Sequence, residues 1–492
     1  MKQHLLLLTV IYQTICLSVY PTSNSNNQLQ QCLNANIKNG KRLHFPGEEL
    51  YDKGLSHWNT YLKTKQLDVI TSPLDETEVI KTIECANQFN KTVSIKSGGH
   101  SYEGYWMGND HGILIDLKYM DEVKIDTVKK TVRVGGGTLL GPLMAKLWKK
   151  DKGALPHGLQ QQIGIGGHTL GGGYGLLSRK YGLLMDRVIE MDVILNNGKK
   201  VVANKDQNSD LFFALRGAGG GSFGVVTSFT FSYINPAPTL KVARLKWTAG
   251  TNNFTSIFNS IMQYYSSNPD RGATMYVNFG AKGSIIMGAT FSCDTTEEQN
   301  EAYKAMMNVL EPPTKVDTRN LNFIDSFLFY SGLGGEPDSV TLNDLEMTKP
   351  EPYERYFKGK SGYFIKAPPK AVVDKLGELL VNHKRVGFFL LIDLQGGAIR
   401  DTADEATSFD HRNTLASAQI AATSEDGVEL MNSVYKLLEP YMPQAYQNYI
   451  DREEKDWTTK YYGNSIDKLI LIKNKYDEKN MFSFERSIPL LK

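Results

Sequence analysis

The sequence lacks any long hydrophobic run after its N-terminal residues. A transmembrane helix needs about 18 or more continuous apolar residues, and no later segment provides them. An excess of charge of one sign is also missing, since 55 basic and 53 acidic side chains give a formal net charge of +2. A nucleic-acid-binding protein would show a concentrated basic excess. The sequence therefore predicts neither a membrane nor a nucleic acid as a partner.

Cysteine is scarce, with four residues in a chain of 492. One of them lies in a short, interrupted apolar stretch within residues 1–23, which we interpret as a secretory signal peptide. The other three leave either one pair and one free thiol or three reduced thiols. Cys32 and Cys85 are the favoured pair, because Cys293 lies far away in a different region. We therefore expect a secreted protein with one disulfide.

Two glycosylation sequons, at Asn90 and Asn253, fit export but are weak signals alone. The length of 492 residues exceeds what one ordinary hydrophobic core supports, so two domains are expected. The segment Pro236–Pro238 marks a boundary between them. Residues 24–36 are rich in Asn and Gln, and we interpret them as a polar lead-in.

The order of predicted elements indicates an α+β protein. Before residue 236, short β-branched strands alternate with helical spacing and glycine turns. Beyond residue 238, longer segments with helical spacing alternate with strands, which predicts a sheet backed by helices. Those segments are two helices, 254–265 and 296–310, and three strands, 274–279, 284–291 and 387–394.

Glycine is abundant, and many of the 44 glycines cluster in four turns. Without a Cβ atom, the backbone of such a turn can approach a phosphate and direct its N–H groups at it. Four turns in one domain favour a dinucleotide that spans several loops, although tight turns alone would also use glycine. A Rossmann fingerprint is not favoured, because a helix precedes the last cluster and a strand follows it. The turns are Ser97–Ser101, Gly135–Thr138, Ile163–Gly175 and Gly217–Gly224.

Four longer segments carry a resemblance to a known family. SIKSGGHSYEG at residues 94–104 resembles the flavin-attachment loop of the berberine-bridge-enzyme-like oxidoreductases, within the larger vanillyl-alcohol-oxidase type. Residues 155–183 and 210–231 are similar to that family's second and third flavin loops. KYYGNSIDKLILIKNKYDEKNMFSFERSIP at residues 460–489 resembles its closing segment. The match covers nearly the whole chain in consistent order.

The resemblance implies a two-domain, vanillyl-alcohol-oxidase-type FAD-binding fold of the α+β class. The FAD domain would comprise residues 24–235 and a C-terminal segment, 445–492, with an α+β substrate domain at 236–444 between them. Its cofactor would be FAD, linked covalently through His100. Many relatives carry a second link through a cysteine, but Gln160 occupies that position here, so a single covalent link is expected.

The resemblance also matches the Cys32–Cys85 pair and assigns further residues to the cofactor. No metal ligand is predicted. The cofactor-binding residues, besides His100, are Lys96, Ser97, Gly98, Gly99, Ser101, Tyr102, Gly137, Thr138, Ile163, Gly164, Gly167, His168, Gly171, Gly172, Tyr174, Gly224, Val225, Val226 and Asn480.

Three residues are candidates for catalysis. The family places a basic tyrosine in a strand with the pattern Tyr-x-Asn-Tyr, which Tyr449 matches in the segment YQNY. A tyrosine of ordinary pKa, about 10, is a poor base unless its phenolate is stabilised. Asp393 matches an acidic residue of the relatives that oxidise sugars, and Gln419 matches a substrate-facing position. The alternatives are a surface aspartate and a glutamine at the edge of the core.

These residues predict a secreted enzyme that oxidises an alcohol, most favourably the anomeric hydroxyl of a sugar. Oxidation of a phenolic or alkaloid alcohol is the alternative, and an aromatic-lined, narrower pocket would favour it. A secreted flavin-binding protein without turnover is a further possibility. Ile163 matches a position near the flavin where valine accompanies oxidases. Isoleucine at this position makes a dehydrogenase plausible, so the electron acceptor is either oxygen or another molecule.

Overall fold

The computed structural model describes residues 23–37, 42–331, 341–346 and 354–491. They form three sheets and fifteen α-helices. The predicted signal peptide lies outside the described residues except for its last residue, Ser23, which begins the first helix.

A four-stranded sheet comes first in the chain. Its strands β2, β4 and β3 are parallel neighbours, with β1 antiparallel at one edge. Parallel strands of one sheet require crossover connections. A helix over residues 76–88 connects β2 to β3, which lie on either side of β4. Asp75 caps that helix by accepting a hydrogen bond from the Glu78 N–H at 3.0 Å. The strands are β1 (Leu43–His44), β2 (Val69–Thr71), β3 (Val93–Lys96) and β4 (Ile113–Asp116).

A five-stranded antiparallel sheet follows, in the order β5-β6-β9-β7-β8. The turn Asn196-Asn197-Gly198 joins β7 and β8, and Gly198 adopts the left-handed conformation at φ +78° that favours glycine. The strands are β5 (Val123–Asp126), β6 (Thr131–Gly135), β7 (Val188–Ile194), β8 (Lys200–Asn204) and β9 (Val225–Ser232).

The third sheet has seven antiparallel strands in the order β13-β10-β12-β11-β15-β16-β14. Along β15, buried apolar residues alternate with half-buried ones. Leu390 and Ile392 pack into the helix-covered core, whereas Leu391 and Asp393 face the opposite side. The strands are β10 (Leu240–Thr248), β11 (Ala273–Gly280), β12 (Ser284–Phe291), β13 (Lys315–Leu321), β14 (Lys358–Phe364), β15 (Phe388–Leu394) and β16 (Ala416–Ala422).

The helices surround these sheets, and α8, α12 and α13 contact one another or cover one face of the seven-stranded sheet. The helices are α1 (Ser23–Asn36), α2 (Glu49–Leu55), α3 (Glu76–Gln88), α4 (Leu140–Asp151), α5 (Ile165–Leu170), α6 (Ser178–Tyr181), α7 (Ser209–Ala214), α8 (Phe254–Ser266), α9 (Thr296–Val309), α10 (Phe323–Ser331), α11 (Leu342–Glu346), α12 (Lys370–Asn382), α13 (Val428–Leu438), α14 (Trp457–Tyr462) and α15 (Ile466–Tyr476).

The N-terminal region differs from its prediction. The polar lead-in expected at residues 24–36 is helix α1, and its Leu29 and Leu33 are buried against the four-stranded sheet. Two leucines four residues apart lie on one helix face, so they fix the helix despite the surrounding Asn and Gln. A disulfide joins Cys32 of α1 to Cys85 of α3, which confirms the predicted pair, and Cys293 is a buried free thiol.

Most of the last part of the chain packs against the five-stranded sheet, although residues 446 and 451 also contact β14 of the seven-stranded sheet. Ile450, Tyr461, Leu469 and Ile488 share a hydrophobic core with Phe229 of β9. The backbone N–H of Val93 in β3 also donates to the carbonyl of residue 481 at 2.9 Å. Both ends of the chain therefore build the region that carries the glycine turns.

The predicted fold class is confirmed, because helices combine with largely antiparallel sheets and the seven-stranded sheet is backed by helices. None of the described helices is long and apolar enough to cross a membrane.

Candidate active site

A cavity of about 580 Å³ lies where the three sheets and the C-terminal segment meet. Its walls come from the glycine turns, from the open face of the seven-stranded sheet and from residues 446–450. The cavity is therefore assembled from chain segments that are remote in sequence. Its size suits a ligand much larger than a single phosphate.

The first glycine turn follows β3 and carries His100 on the cavity wall. Its backbone is locked to the third cluster, because a Cβ at Gly98 would lie 2.2 Å from the Gly164 nitrogen. The Ser97 hydroxyl donates to the Gly136 carbonyl at 2.7 Å, which ties in the second turn as well. Glycine at positions 98 and 164 is thus required by the close approach of two backbones.

His100 is enclosed and neutral. Its ring stacks on Trp58 with centroids 5.7 Å apart, and burial, helped by the charge of Arg355, lowers its pKa to about 4. A neutral imidazole keeps a nitrogen lone pair. The side chain therefore meets the chemical requirement for a covalent bond to a cofactor.

Other glycines open into the cavity. A Cβ built at Gly167 or Gly219 would meet no atom within 4 Å, and one at Gly220 would only touch Leu170 and Gly167. These positions leave space beside exposed peptide groups, as a ligand that approaches the backbone closely would need. The loops from four glycine clusters, the volume of the cavity and the neutral His100 together fit a large dinucleotide such as FAD.

His168 is a second neutral histidine in the wall. The backbone N–H of Gly158 donates to its Nε2 at 3.0 Å, so the ring proton resides on Nδ1. Burial lowers its pKa to about 3, with a further contribution from His157. His168 can therefore donate one hydrogen bond from Nδ1 without carrying charge.

Two stacked tyrosines form another part of the wall. The rings of Tyr102 and Tyr449 are nearly parallel, at 4°, with centroids 5.1 Å apart. The Gln419 side-chain amide donates to the Tyr102 hydroxyl oxygen. Tyr449 lies in a short 3₁₀ turn, Gln447–Tyr449, and not in the strand that the resemblance implied. The turn allows Tyr446 and Tyr449 to contact each other edge to face, with centroids 4.9 Å apart.

Tyr446 is held by two donors, although it was not among the predicted catalytic residues. Its hydroxyl oxygen accepts from the Gly173 N–H and from the Asn448 side chain, each at 3.0 Å. In the YQNY motif, Asn448 therefore holds the first tyrosine, Tyr446, by a hydrogen bond. The second tyrosine, Tyr449, forms part of the cavity wall.

The acid–base properties of Asp393 and Tyr449 differ strongly. Burial raises the pKa of Tyr449 well above its ordinary value, and neighbouring Tyr102 and Asp393 raise it further. Burial also raises the pKa of Asp393, to about 7, against a hydrogen bond from Ser417 that lowers it. The Ser417 hydroxyl lies 3.4 Å from Asp393 Oδ2. Asp393 is therefore the group that changes protonation near neutral pH, whereas Tyr449 stays protonated.

The register of the seven-stranded sheet places polar groups around this carboxyl. Tyr276 of β11 is paired with Asp393, and Asn278 is paired with Leu391. On the other side, Gln419 of β16 is also paired with Leu391. Paired residues project from the same face of a sheet, so Asp393, Asn278 and Gln419 form a polar floor.

Aromatic side chains form another part of the cavity wall. Phe357 contacts Tyr102 with ring centroids 4.5 Å apart and Phe389 with centroids 6.3 Å apart. The guanidinium of Arg355 lies 5.4 Å from the Trp58 ring centroid and is exposed. The cavity therefore has a polar floor and an aromatic wall that bears one positive charge.

Most predicted site residues line this cavity. Gln160 also does, and no cysteine is among the described residues of the wall. The predicted residues on the wall are Ser97, Gly98, Gly99, His100, Ser101, Tyr102, Ile163, Gly164, Gly167, His168, Tyr174, Gly224, Val226, Asp393, Gln419 and Tyr449.

Seven predicted cofactor residues do not line the cavity, so their contact with the cofactor stays a prediction. Lys96 donates to the Gly54 carbonyl at 2.8 Å and lies over the Trp106 ring. A Cβ at Gly137 would meet the Leu117 carbonyl oxygen, and one at Gly171 would meet Asn448. The seven residues are Lys96, Gly137, Thr138, Gly171, Gly172, Val225 and Asn480.

Several wall residues escaped the sequence prediction. Tyr276 and Asn278 carry a usable signal, since they alternate with apolar residues along a strand. Trp58, Phe357 and Phe389 carry none, because their place depends on pairing between remote segments. Among the missed residues are Trp58, Gly219, Tyr276, Asn278, Arg355, Phe357, Phe389 and Tyr446.

Comparisons with known proteins identify the family. Residues 67–204 match the FAD binding domain model, and residues 445–489 match the model of berberine and berberine like proteins. Berberine bridge enzyme-like C-1 of Nicotiana tabacum is 30% identical over 86% of this chain and 84% of its own length. Berberine bridge enzyme-like 12 of Arabidopsis thaliana is 28% identical over 86% of this chain and 84% of its own.

Solved structures agree. The BBE-like 1 protein of Physcomitrella patens superposes with a TM-score of 0.86 at 30% identity, over 94% of this chain and 99% of that one. A chitooligosaccharide oxidase superposes with a TM-score of 0.84 at 25% identity, over 94% and 100% of the two chains. The chain therefore belongs to the berberine-bridge-enzyme-like family and is an FAD-linked oxidoreductase.

Proposed function

We propose that this oxidoreductase oxidises an alcohol group of a carbohydrate. The observation that carries the proposal is Asp393, a carboxyl with a pKa near 7 that faces the cavity beside Tyr449 and the polar side chains of Gln419 and Asn278. A sugar presents several hydroxyl groups to such a floor. The similarity to a chitooligosaccharide oxidase supports the same substrate class.

When bound, FAD supplies the acceptor for the hydride that leaves the carbon of the alcohol. The chain's own residues must take up the remaining hydroxyl proton. Tyr449 is protonated and positions the substrate oxygen by a hydrogen bond. Asp393, ionised above about pH 7, receives the proton directly or through Tyr449. Loss of the hydride and of the proton leaves a carbonyl group, which for an anomeric hydroxyl is a lactone.

Attachment of FAD through His100 is part of the proposal. The neutral ring is enclosed by Trp58, and its turn is fixed by the contact between Gly98 and Gly164. With Gln160 in the wall where relatives carry a cysteine, His100 forms the single covalent link. A covalent cofactor is retained outside the cell, where no supply replaces a lost one.

Export is likewise proposed. It is supported by the signal predicted within residues 1–23 and by the disulfide between Cys32 and Cys85, since disulfides persist in oxidising compartments. Asn90 and Asn253 are both exposed, as glycosylation requires.

The aromatic wall favours a second candidate, oxidation of a phenolic or alkaloid alcohol. Trp58, Phe357 and Phe389 could stack on an aromatic ring. Arg355 stands on that wall and disfavours cationic alkaloids, so neutral or acidic phenolic alcohols are the members of this class that remain.

Anaerobic mixing distinguishes the two candidates. The purified protein is mixed with a panel of mono- and oligosaccharides and a panel of aromatic alcohols, and loss of the oxidised flavin's visible absorption is followed. Bleaching by a sugar, with no bleaching by the aromatic alcohols, supports the carbohydrate proposal. Bleaching by aromatic alcohols alone overturns it. Tyr449→Phe serves as the control, because it retains the ring and its stacking but not the hydroxyl.

A further inference from the structure

A buried cluster of charges lies next to the two stacked tyrosines. Lys358 Nζ is 3.4 Å from Glu103 Oε1 and 3.3 Å from Asp451 Oδ1. The side chains of all three residues are at most 6% exposed. Lys360 pairs with the same Asp451 at 2.6 Å, and Arg452 pairs with Glu103 at 2.6 Å. Charges are rarely buried this completely unless they are paired, and here every one is.

The cluster joins three parts of the chain that carry active-site residues. Glu103 directly follows Tyr102, and Asp451 comes two residues after Tyr449. Lys358 begins β14, the edge strand of the seven-stranded sheet. Burial opposes the charge on Lys358, but its carboxylate partners outweigh burial and raise its pKa. The lysine is therefore a permanent cation between the two tyrosine-bearing segments.

The opposite face of β14 contacts the same two segments. A Cβ at Gly359 would lie 3.2 Å from the Tyr102 ring. The Ser361 hydroxyl oxygen accepts from the Tyr446 N–H at 3.0 Å. Because successive side chains of a strand point to opposite faces, Lys358 and Lys360 hold these segments from one side while Gly359 and Ser361 contact them from the other.

We propose that Lys358 is a positioning residue, which fixes the stack of Tyr102 on Tyr449 through its ion pairs with Glu103 and Asp451. It is not a catalytic residue, since Lys358, Glu103 and Asp451 do not line the cavity. The inference rests on the proposed function only in that Tyr449 must contact the substrate. Its geometric part, that Lys358 holds the two segments together, is independent of the substrate.

Displacing a substrate-positioning group by about 1 Å can lower a rate about a hundredfold. Removal of Lys358 leaves Glu103 paired with Arg452 and Asp451 paired with Lys360, so each carboxylate keeps one cation but both lose the one they share. Lys358→Met should therefore lower kcat at least tenfold with less than a threefold change in KM. Lys358→Arg, which keeps the cation, should restore kcat to within threefold of the parent protein.

Lys460→Met is the matched control. Lys460 is also a largely buried lysine of the C-terminal region and pairs with two carboxylates, those of Glu439 and Glu454 at 2.7 and 2.8 Å. Neither partner adjoins a tyrosine of the cavity. Its replacement should lower the melting temperature but leave kcat within threefold of the parent value.

Amide hydrogen exchange of the flavin-loaded protein tests the geometric part directly. Peptides covering residues 98–104 and 446–453 should exchange at least tenfold faster in Lys358→Met and at the parent rate in Lys460→Met. Unchanged exchange in both peptides, or unchanged kcat in a folded Lys358→Met, overturns the proposal. If that variant does not fold, Glu103→Gln, which leaves Lys358 paired with Asp451, is used with the same criteria.

A failure of the proposed function gives a different result. If no alcohol reduces the flavin, the exchange difference between the two lysine variants still decides whether Lys358 positions the segments.

Discussion

Replacing Asp393 by asparagine should abolish both a pH-dependent step in catalysis and a pH-dependent loss of stability. The substitution keeps the size of the side chain and removes its titration. In the parent protein, burial raises the pKa of Asp393 from 3.8 to about 7. If the carboxylate accepts the substrate's proton, kcat should rise with pH and level off above about pH 7. This rising part of the pH profile is the catalytic limb. In Asp393→Asn the limb should vanish, and kcat should fall about 10²- to 10⁴-fold, as for loss of a general base.

The effect on stability has the opposite direction. Between pH 4 and 7 the folded state holds the proton that the unfolded state has released, so stability falls as pH rises through this window. Below about pH 4 both states are protonated and Asp393 costs nothing. Above about pH 7 the ionised carboxylate lowers the free energy of unfolding by the full amount. About 3 pKa units at about 1.4 kcal/mol each give about 4 kcal/mol, and water in the cavity reduces this figure by screening. Asp393→Asn should therefore be more resistant to urea than the parent at pH 8 and equally resistant at pH 4.

The catalytic limb is measured by rapid anaerobic mixing with a saturating substrate from pH 5 to 9. Ser417→Ala provides a second, graded perturbation. The Ser417 hydroxyl lowers the pKa of Asp393, so its removal should move the limb to higher pH without abolishing turnover. An Asp393→Asn variant that keeps the limb near pH 7 and the parent kcat would refute the assignment of Asp393 as proton acceptor.

The remaining predictions concern the cofactor, oxygen and the disulfide. His100→Ala should release its flavin into the supernatant on acid precipitation, whereas the parent protein should retain it; release by the parent would show that the link is absent. Ile163→Val should speed reoxidation of the reduced flavin by oxygen, measured by stopped flow, and an unchanged rate would remove Ile163 as a barrier to oxygen. Cys85→Ser should lower the free energy of unfolding by about 4 kcal/mol, because the cross-link closes a 53-residue separation. Urea unfolding with Cys293→Ser as the control checks this, and equal losses in both variants would contradict it.

Local motifs were sufficient to predict much of the fold. Strand β12 has the predicted bounds, and β15 differs by one residue, because both are rich in apolar residues that include β-branched and aromatic side chains. Helix α1 was missed because its polar sequence offers only two buried leucines as a helical pattern. The strands β14 and β16, with the sequences KGKSGYF and ASAQIAA, lack strand-forming composition. Pairing with neighbouring strands determines them, and a single sequence does not reveal that pairing.

The same limit applies to the site. His100, Tyr449 and Asp393 lie in recognisable motifs and reach one cavity. Trp58 and Phe357 line the same cavity but lie in no recognisable motif, since their positions follow from the meeting of segments almost 300 residues apart in the chain. The resemblance placed Tyr449 in a strand, but the chain forms a 3₁₀ turn there.

Assembly of the cavity from both ends of the chain constrains when the enzyme can mature. His100 and Tyr449 are separated by 349 positions, and the last β-strand of the seven-stranded sheet ends at residue 422. Domains generally fold as units from the N-terminus during synthesis. The ribosome must therefore have synthesised nearly the whole chain before Tyr449 can take its place in the cavity wall. A prematurely terminated chain would carry His100 in a half-built, open cleft, without Tyr449 and the other C-terminal residues of the cavity wall.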